Sequence, residues 1–373
     1  MPEARRPGTP AWRFLKDGVD ISLDLTLRCN LECRHCAVSA GPRARGELPI
    51  GLALGVLRDA RDLGVGRVCF TGGEATLRRD LWRLAEYGRG LGLGLTLFTN
   101  GTTLDGAGIR TVSELFSRVA VSVDGPQSFH DWWRPRPGCF ARAQRTIVAL
   151  AERGVPVVVQ LTVTARSLSF VEWVGEAAAG WGAELVSFAP LSSQGRAARL
   201  GPGFHLALAE LDGLYARVLA LRGRLLRRVR VELKAVKAKS VLLEHPCQAY
   251  ACSGHACHSR STGEPRELTV RADGTVLPLN ADLHPRLALG NLTQAPLSEL
   301  IASYVGSDRH RRLMALAERV WREDVRSWPH AVLPWMEILA GRSRSTRAEE
   351  APAAVSKPEP AAGDGPGDRG PAP

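Results

Sequence analysis

The chain lacks any apolar run long enough to cross a bilayer: hydrophobic stretches such as residues 155–159 fall far short of the ~20 residues a spanning helix needs. It also lacks the apolar core of a secretory signal, because residues 1–12 are rich in Arg and Pro, so a cytoplasmic protein is expected. Lys plus Arg number 49 against 38 acidic residues, a net charge of +11. No dense basic block or pattern of stacking aromatics accompanies that surplus, which argues against nucleic acid and leaves solubility or an acidic peptide partner. A composition of 45% hydrophobic and 23% charged residues excludes fibrous and wholly disordered chains. What the sequence does have is cysteine. Eight in a cytoplasmic chain of 373 residues point to metal or redox chemistry rather than disulfides, and none lies beyond Cys257.

From Gly18 onward, short β-type runs alternate with helix-length amphipathic runs, the pattern of an α/β fold with a parallel sheet. Six cycles can be followed, with strands near residues 21–27, 67–71, 93–99, 119–123, 155–163 and 184–190. The helices fall near 50–63, 79–90, 105–116, 140–153 and 170–181, with a longer one near 205–228. Six such units predict an open, partial (β/α)6 barrel whose strand C-termini share one mouth, where function is expected. Residues 1–17 read as a flexible N-terminus, 18–228 as the barrel and 229–322 as a small Cys-rich extension with a hairpin and a helix. Residues 323–341 read as a C-terminal segment and 342–373 as a disordered tail. In the extension Leu268, Val270 and Val276 flank Ala272-Asp273-Gly274, a hairpin turn signal.

Directly after the first strand comes Cys29-Asn-Leu-Glu-Cys33-Arg-His-Cys36, three thiols spaced four and three apart. Soft thiolates select zinc or an iron-sulfur cluster, and structural zinc usually takes four ligands from two knuckles. Three ligands leave one metal vertex open, which suits a cluster that must bind a substrate or cofactor.

At this point the sequence resembles the radical S-adenosylmethionine (SAM) superfamily, with His35 in the aromatic position of its cysteine loop. Thr71-Gly72-Gly73-Glu74, Thr99-Asn100-Gly101, Ser122-Val123-Asp124-Gly125 and Gly195-Arg196-Ala197 follow later strands in that family's order. The resemblance implies that Cys29, Cys33 and Cys36 hold a 4Fe-4S cluster whose fourth iron is chelated by SAM. It implies an enzyme that cleaves SAM reductively to a 5′-deoxyadenosyl radical, which takes hydrogen from a substrate, with flavodoxin or ferredoxin as electron donor. Gly72, Gly73 and Glu74 would meet the SAM methionyl end, although Ala75 stands where the family usually has Pro. Asn100, Ser122 and Asp124 would either face ribose and substrate or cap the following helices. Arg134 resembles the family arginine that meets the SAM carboxylate, with Pro135 in place of the usual Gly, and a surface arginine is the alternative. Gln160 is a further candidate of this kind. Cys69 is expected to be a buried hydrophobe. Cys139 is expected to pack in the core, with hydrogen donation to a substrate radical as the sharper alternative.

A second group, Cys247, Cys252 and Cys257, is evenly spaced and precedes the hairpin and a Gly290-Asn291 element, similar to the SPASM/twitch extension of many radical SAM enzymes. Where that extension normally reads Pro-Cys, this chain has Pro278-Leu279. A two-cluster extension is thereby excluded by counting. A single auxiliary 4Fe-4S cluster remains, completed by a free iron, His255, His258 or Asp282, with a Cys/His zinc site and a metal-free remnant as alternatives. The resemblance implies maturation of a ribosomally made peptide by crosslinking or oxidation, with a separate recognition protein or direct binding by the chain's own groove, because only some 18 residues precede the first strand. Dehydrogenation or epimerisation of a sugar or aminocyclitol is the second reading, and a non-catalytic iron-sulfur or zinc protein the third.

Overall fold

The computed structural model of the chain describes residues 20–244, 267–279 and 282–345. The segment 1–17, the group Cys247, Cys252 and Cys257 with His255 and His258, and the tail beyond residue 345 lie outside the described residues.

Period-two alternation sorts each strand between two faces. In β1 (Asp20–Thr26) Ile21, Leu23 and Leu25 are fully buried on one face, while Asp20, Ser22 and Asp24 lie on the other. Beyond it run β2 (Arg67–Gly72), β3 (Gly94–Thr99), β4 (Arg118–Ser122), β5 (Val157–Val163), β6 (Leu185–Pro190) and β7 (Arg230–Leu233), each parallel to and hydrogen-bonded with the one before. Parallel neighbours need a crossover. Helices α1 (Ile50–Asp62), α2 (Leu81–Gly90), α3 (Gly106–Leu115), α4 (Gln127–Trp133), α5 (Cys139–Ala151), α6 (Val171–Gly180) and α7 (Leu208–Leu225) supply them. Apart from α4, their apolar stripes cover one sheet face, joining Val56, Leu84, Val112, Ile147, Val174 and Leu221 to the inward strand residues in one core. The opposite face is lined by small and polar side chains. Ala120, Val158 and Leu185 with Phe98 form an apolar floor there, and Ser122 and Gln160, paired in register, lie further toward the strand C-termini.

The sheet is longer than the six strands expected. Residues 230–233 form its seventh parallel strand against β6, and β9 (Glu267–Val270) adds to its other edge, parallel to β1. The expected hairpin is present, since β10 (Thr275–Leu277) pairs antiparallel with β9 across the Asp273-Gly274 turn, and β11 (Gly290–Asn291) closes that edge. The sheet is therefore continuous across residue 228. A strand whose partner lies about 250 positions away carries no local sign of it, and β7 has only four residues among charged flanks.

Past the sheet the described residues make a second core. Short β8 (Lys237–Ala238) pairs with β12 (Val332–Leu333), and α8 (Lys239–Glu244), α10 (Asp308–Val320) and α11 (Trp335–Arg344) gather Leu242, Leu313, Leu316, Val320 and Leu339. The remaining helix, α9 (Leu297–Tyr304), packs on α1 instead. Leu279 is buried in this second core, so the position that a SPASM-type extension fills with a cysteine serves packing here. Helix α11 runs to Arg344, past residue 342 where a disordered tail was expected to begin.

Leu23→Ala should cost about 2–5 kcal/mol in urea unfolding, because the side chain is wholly buried in the central strand. The 73%-exposed Leu226 provides the control, and its alanine variant should stay within about 0.5 kcal/mol of the parent.

Candidate cluster and cofactor site

The cysteine loop begins where β1 ends. Cys29 and Cys33 are buried and Cys36 is half-buried. The loop has little ladder of its own, only isolated bridges between Thr26 and Glu47 and between Arg28 and Gly41, so it is held by side chains and by other strand ends. Each sulfur accepts hydrogen: Cys29 Sγ from the Leu31 amide at 3.4 Å, Cys36 Sγ from the Ala40 amide at 3.3 Å, and Cys33 Sγ from Arg134 Nη1 at 3.9 Å.

Four strand ends grip this loop. After β2, the Gly73 amide donates to Thr26 O at 2.6 Å and the Glu74 amide to Arg28 O at 2.9 Å. A Cβ on Gly73 would sit 2.3 Å from Arg28 O, so glycine is required by the loop backbone itself. Glu74 is fully buried. Its Oε1 accepts from Thr76 Oγ1 at 2.6 Å and Thr99 Oγ1 at 2.8 Å, and its Oε2 from the Asn100 amide at 2.8 Å. After β3, Asn100 Nδ2 donates to Asn30 Oδ1 at 2.9 Å and reaches Cys29 Sγ at 3.8 Å, while its Oδ1 accepts from Thr102. After β6, the Arg196 amide donates to Cys36 O at 2.9 Å and Arg196 Nε to Cys33 O at 2.8 Å. Gly195, at φ +55°, lies so close that a Cβ would meet Ala37 O at 2.3 Å.

The fourth grip is electrostatic. Asp124, just past β4 and with no exposure, takes Arg134 Nε at 2.6 Å and Nη2 at 3.3 Å, a bidentate pair, and the same guanidinium touches Cys33 Sγ and His35 Nε2. Burial alone would raise the Asp124 carboxyl, but Arg134, His35 and His130 outweigh it and hold it down to about 2. Burial would likewise lower Arg134, and Asp124 and Cys33 raise it instead. His130 Nδ1 accepts the Asp124 amide at 3.2 Å, which leaves the ring proton on Nε2. Burial drives His130 down to about 4 and His35 to about 3, so both rings are neutral at physiological pH. His35 stacks on Trp133 at 4.9 Å with the rings 2° from parallel.

Burial pushes the Cys29 thiol up to about 12 and raises Cys33 as well, so ionising them in place requires a cation. A single tetrahedral zinc would bring its sulfurs to within about 3.8 Å of one another at a 2.3 Å bond length. Among the described residues the one trio of candidate ligand atoms all within 4.8 Å is His130, Asp131 and Cys139, not the three loop cysteines. Three soft donors, spread more widely and each accepting N–H, fit a cluster rather than one ion.

The chain resembles known proteins over this same region. Residues 23–169 match the Radical SAM superfamily. These residues are a radical SAM domain. An AdoMet-dependent heme synthase of Oleidesulfovibrio alaskensis is 33% identical over 204 residues, 54% of this chain and 51% of that protein. The sporulation killing factor maturation protein SkfB of Bacillus subtilis is 31% identical over 180 residues, 48% of this chain and 44% of that protein. The chain thus spans about half the length of these relatives. Among solved structures, Streptococcus suis SuiB superposes with a TM-score of 0.61 over 82% of this chain and 69% of SuiB, at 14% identity. The AdoMet-bound anSMEcpe gives 0.61 over 80% and 83%, at 19% identity. These two share the fold.

Within the radical SAM domain Glu74, Asn100, Asp124 and Arg134, singled out from sequence, gather at the loop, where they also have partners within the protein. Gly72 and Gly73 admit the backbone of residues 26–28, and the Glu74 oxygens are already bonded within the protein. None of Asn100, Ser122 and Asp124 caps a helix: Asp105 caps α3 through the Gly108 amide at 2.7 Å, and Pro126 precedes α4. Arg134 is not a surface arginine. Cys139 is fully buried, and its thiol donates to Asp131 Oδ1 at 3.1 Å while that carboxylate caps α5 through the Gly138 and Phe140 amides, an arrangement for packing rather than for meeting a substrate radical. Cys69 is buried as expected. Asp282 pairs with Arg271 at 2.9 Å and Arg344 at 3.1 Å. Sequence reasoning missed Asn30 and the role of Arg196, although the first sits inside the cysteine motif and the second inside Gly195-Arg196-Ala197.

Arg134→Gln should cost about 3–5 kcal/mol in urea unfolding, because it strands the Asp124 carboxylate without its charge partner. Acid should weaken the fold in two windows. His130 binds its proton more weakly folded (about 4) than unfolded (6.5), so stability falls as pH drops from about 6.5 toward 4, and His130→Asn should flatten that slope. Asp124 holds its stabilisation above its ordinary value of about 3.8 and loses it as pH falls on toward 2.

Proposed function

We propose that this chain is an enzyme that cleaves SAM reductively at a 4Fe-4S cluster held by Cys29, Cys33 and Cys36, and that it matures a ribosomally made peptide by oxidation or crosslinking. The observation that carries the reading is convergence: the ends of β2, β3 and β6 bond to the cysteine loop, and the end of β4 reaches it through Arg134 held by Asp124. The consecutive parallel order of β1 to β6 is that of the proposed partial barrel, with the loop at its mouth. When bound, the cluster supplies one electron to the SAM sulfonium, whose carbon–sulfur bond breaks to give methionine and a 5′-deoxyadenosyl radical.

The protein's own residues position and shield. Arg134, held by Asp124, places positive charge on Cys33 and stabilises it as a thiolate ligand. Asn100 does the same for Cys29 through its amide. Glu74 fixes Asn100 and so acts through it, as a positioning residue. Ser122 and Gln160 have side chains without partners among the described residues, beyond the apolar floor, and are assigned to SAM or substrate. Cys247, Cys252 and Cys257 are assigned to an auxiliary cluster that would take up the electron left on the substrate after one hydrogen atom has been removed. A flavodoxin or ferredoxin supplies the electron that cleaves SAM, and the precursor is bound through a recognition protein or directly by the chain's own groove.

The peptide reading is supported by relatives named as maturation proteins, SkfB and the mycofactocin maturase MftC of Mycobacterium ulcerans, 28% identical over 208 residues. A second reading, chemistry on a tetrapyrrole, is supported by the heme synthase at 33% identity.

Anaerobic reconstitution with iron and sulfide followed by dithionite and SAM should release 5′-deoxyadenosine, and Cys33→Ala should abolish it. Iron should fall from about eight to about four per chain in Cys252→Ala with 5′-deoxyadenosine formation retained. Equal 5′-deoxyadenosine from the parent and Cys33→Ala would refute the assignment. A label from a deuterated precursor peptide appearing in the nucleoside would separate the peptide reading from the tetrapyrrole one.

A further inference from the structure

Several arginines along the sheet and its helices are paired with carboxylates, as in Arg67 with Asp20, Arg118 with Glu184 and Arg217 with Glu172, while others such as Arg142 and Arg145 have no such pairing among the described residues. Around the cysteine loop unpaired arginines gather against aromatic rings. Arg34 and Arg196 give their Nε protons to backbone carbonyls, Arg136 gives an Nη proton to another, and none of the three, nor Arg166, has a carboxylate within ion-pair distance among the described residues. Arg34 and Arg166 are exposed. Both guanidinium groups lie over the ring of Trp132, at 5.0 and 5.9 Å, and Arg166 also lies over Phe204 at 4.4 Å. Trp132 is 38% exposed, a large apolar ring at the surface ringed by unpaired positive charge.

Beneath this patch the aromatic rings are continuous. Trp132 stacks on Trp133 at 5.4 Å, Trp133 is fully buried and stacks on His35 at 4.9 Å, and His35 is the residue before Cys36. Arg34 follows Cys33 directly. The patch is therefore the outer end of a stack of rings whose inner end is the loop.

We propose that the Arg34–Trp132–Arg166 patch is the docking surface for an acidic one-electron carrier protein, which passes its electron through Trp132, Trp133 and His35 to the cysteine-held site. The inference rests on the function proposed above. In the step the carrier is oxidised by one electron and the cluster reduced by one, with no bond made or broken. Electron transfer weakens steeply with distance, so a donor must settle over the loop, and this patch lies over it. Unpaired charge steers a partner of opposite sign, and a single exposed ring among arginines suits the small, short-lived interface of an electron-transfer encounter. An extended acidic peptide would draw on a longer groove than this compact patch offers.

The test uses the full chain with its cluster reconstituted, in the double variant Arg34→Glu/Arg166→Glu and the charge-keeping double variant Arg34→Lys/Arg166→Lys. Iron content and circular dichroism establish that each variant is intact. Stopped-flow bleaching of the cluster by photoreduced flavodoxin should slow about tenfold or more in the Glu variant and lose its salt dependence, and should stay close to the parent in the Lys variant. Bleaching by dithionite, which needs no docking, should be the same in all three. Flavodoxin reducing the Glu variant at the parent rate overturns the docking site. So does an acidic precursor peptide that loses its affinity in the Glu variant while flavodoxin reduction is unaffected. A parent chain with no cluster that dithionite can bleach overturns instead the function on which the docking site rests.

Discussion

An irregular loop that buries sulfur ligands must be anchored from outside, because it has little hydrogen-bond ladder with which to hold itself. Here the anchors are the ends of β2, β3, β4 and β6, and each uses different chemistry. Gly73 brings backbone to backbone, Asn100 offers a side-chain amide, Asp124 holds an arginine against sulfur, and Arg196 reaches two loop carbonyls. A parallel sheet suits this role since all its strands end on the same side. The loop's shape is thus a property of the whole sheet.

Charge is managed in two ways within a short distance. Inside, Asp124 and Arg134 neutralise one another with almost no water, and the two flanking histidines stay uncharged. The carboxylate earns its burial only while the guanidinium is present, and the guanidinium in turn is aimed at Cys33 by that carboxylate. Outside, Arg34 and Arg166 are left unpaired beside an exposed tryptophan. The inner pair fixes geometry, and the outer pair presents charge to solvent.

Much of the fold was legible along the chain. Alternation in β1 to β6 and the amphipathic helices between them follow from local pattern, since one sheet face and one helix stripe must be apolar to share a core. The seventh strand and the joining of β9 to β1 were not legible, because both depend on partners far away in sequence. Helix α4 was hidden by its length of seven residues, and α11 by a composition running into a Pro- and Ala-rich tail. At the site the motif residues were found, but their partners were not. Glu74 and Gly73 read as ligand contacts, and the structure adds bonds they make within the protein, since a motif shows which residues are present and not which atoms they face.

By itself the sequence determined the three-sulfur donor set, the strand-helix alternation and the glycines that later prove indispensable, because all of these are encoded in spacing and residue type. Only the tertiary structure decided that Arg134 belongs to Asp124 and Cys33, that Cys139 is occupied by Asp131, that Leu279 fills a second core, and that Trp132 surfaces between two arginines. Those are contacts between segments brought together by folding, and direction and burial exist only once the sheet has placed its strand ends side by side.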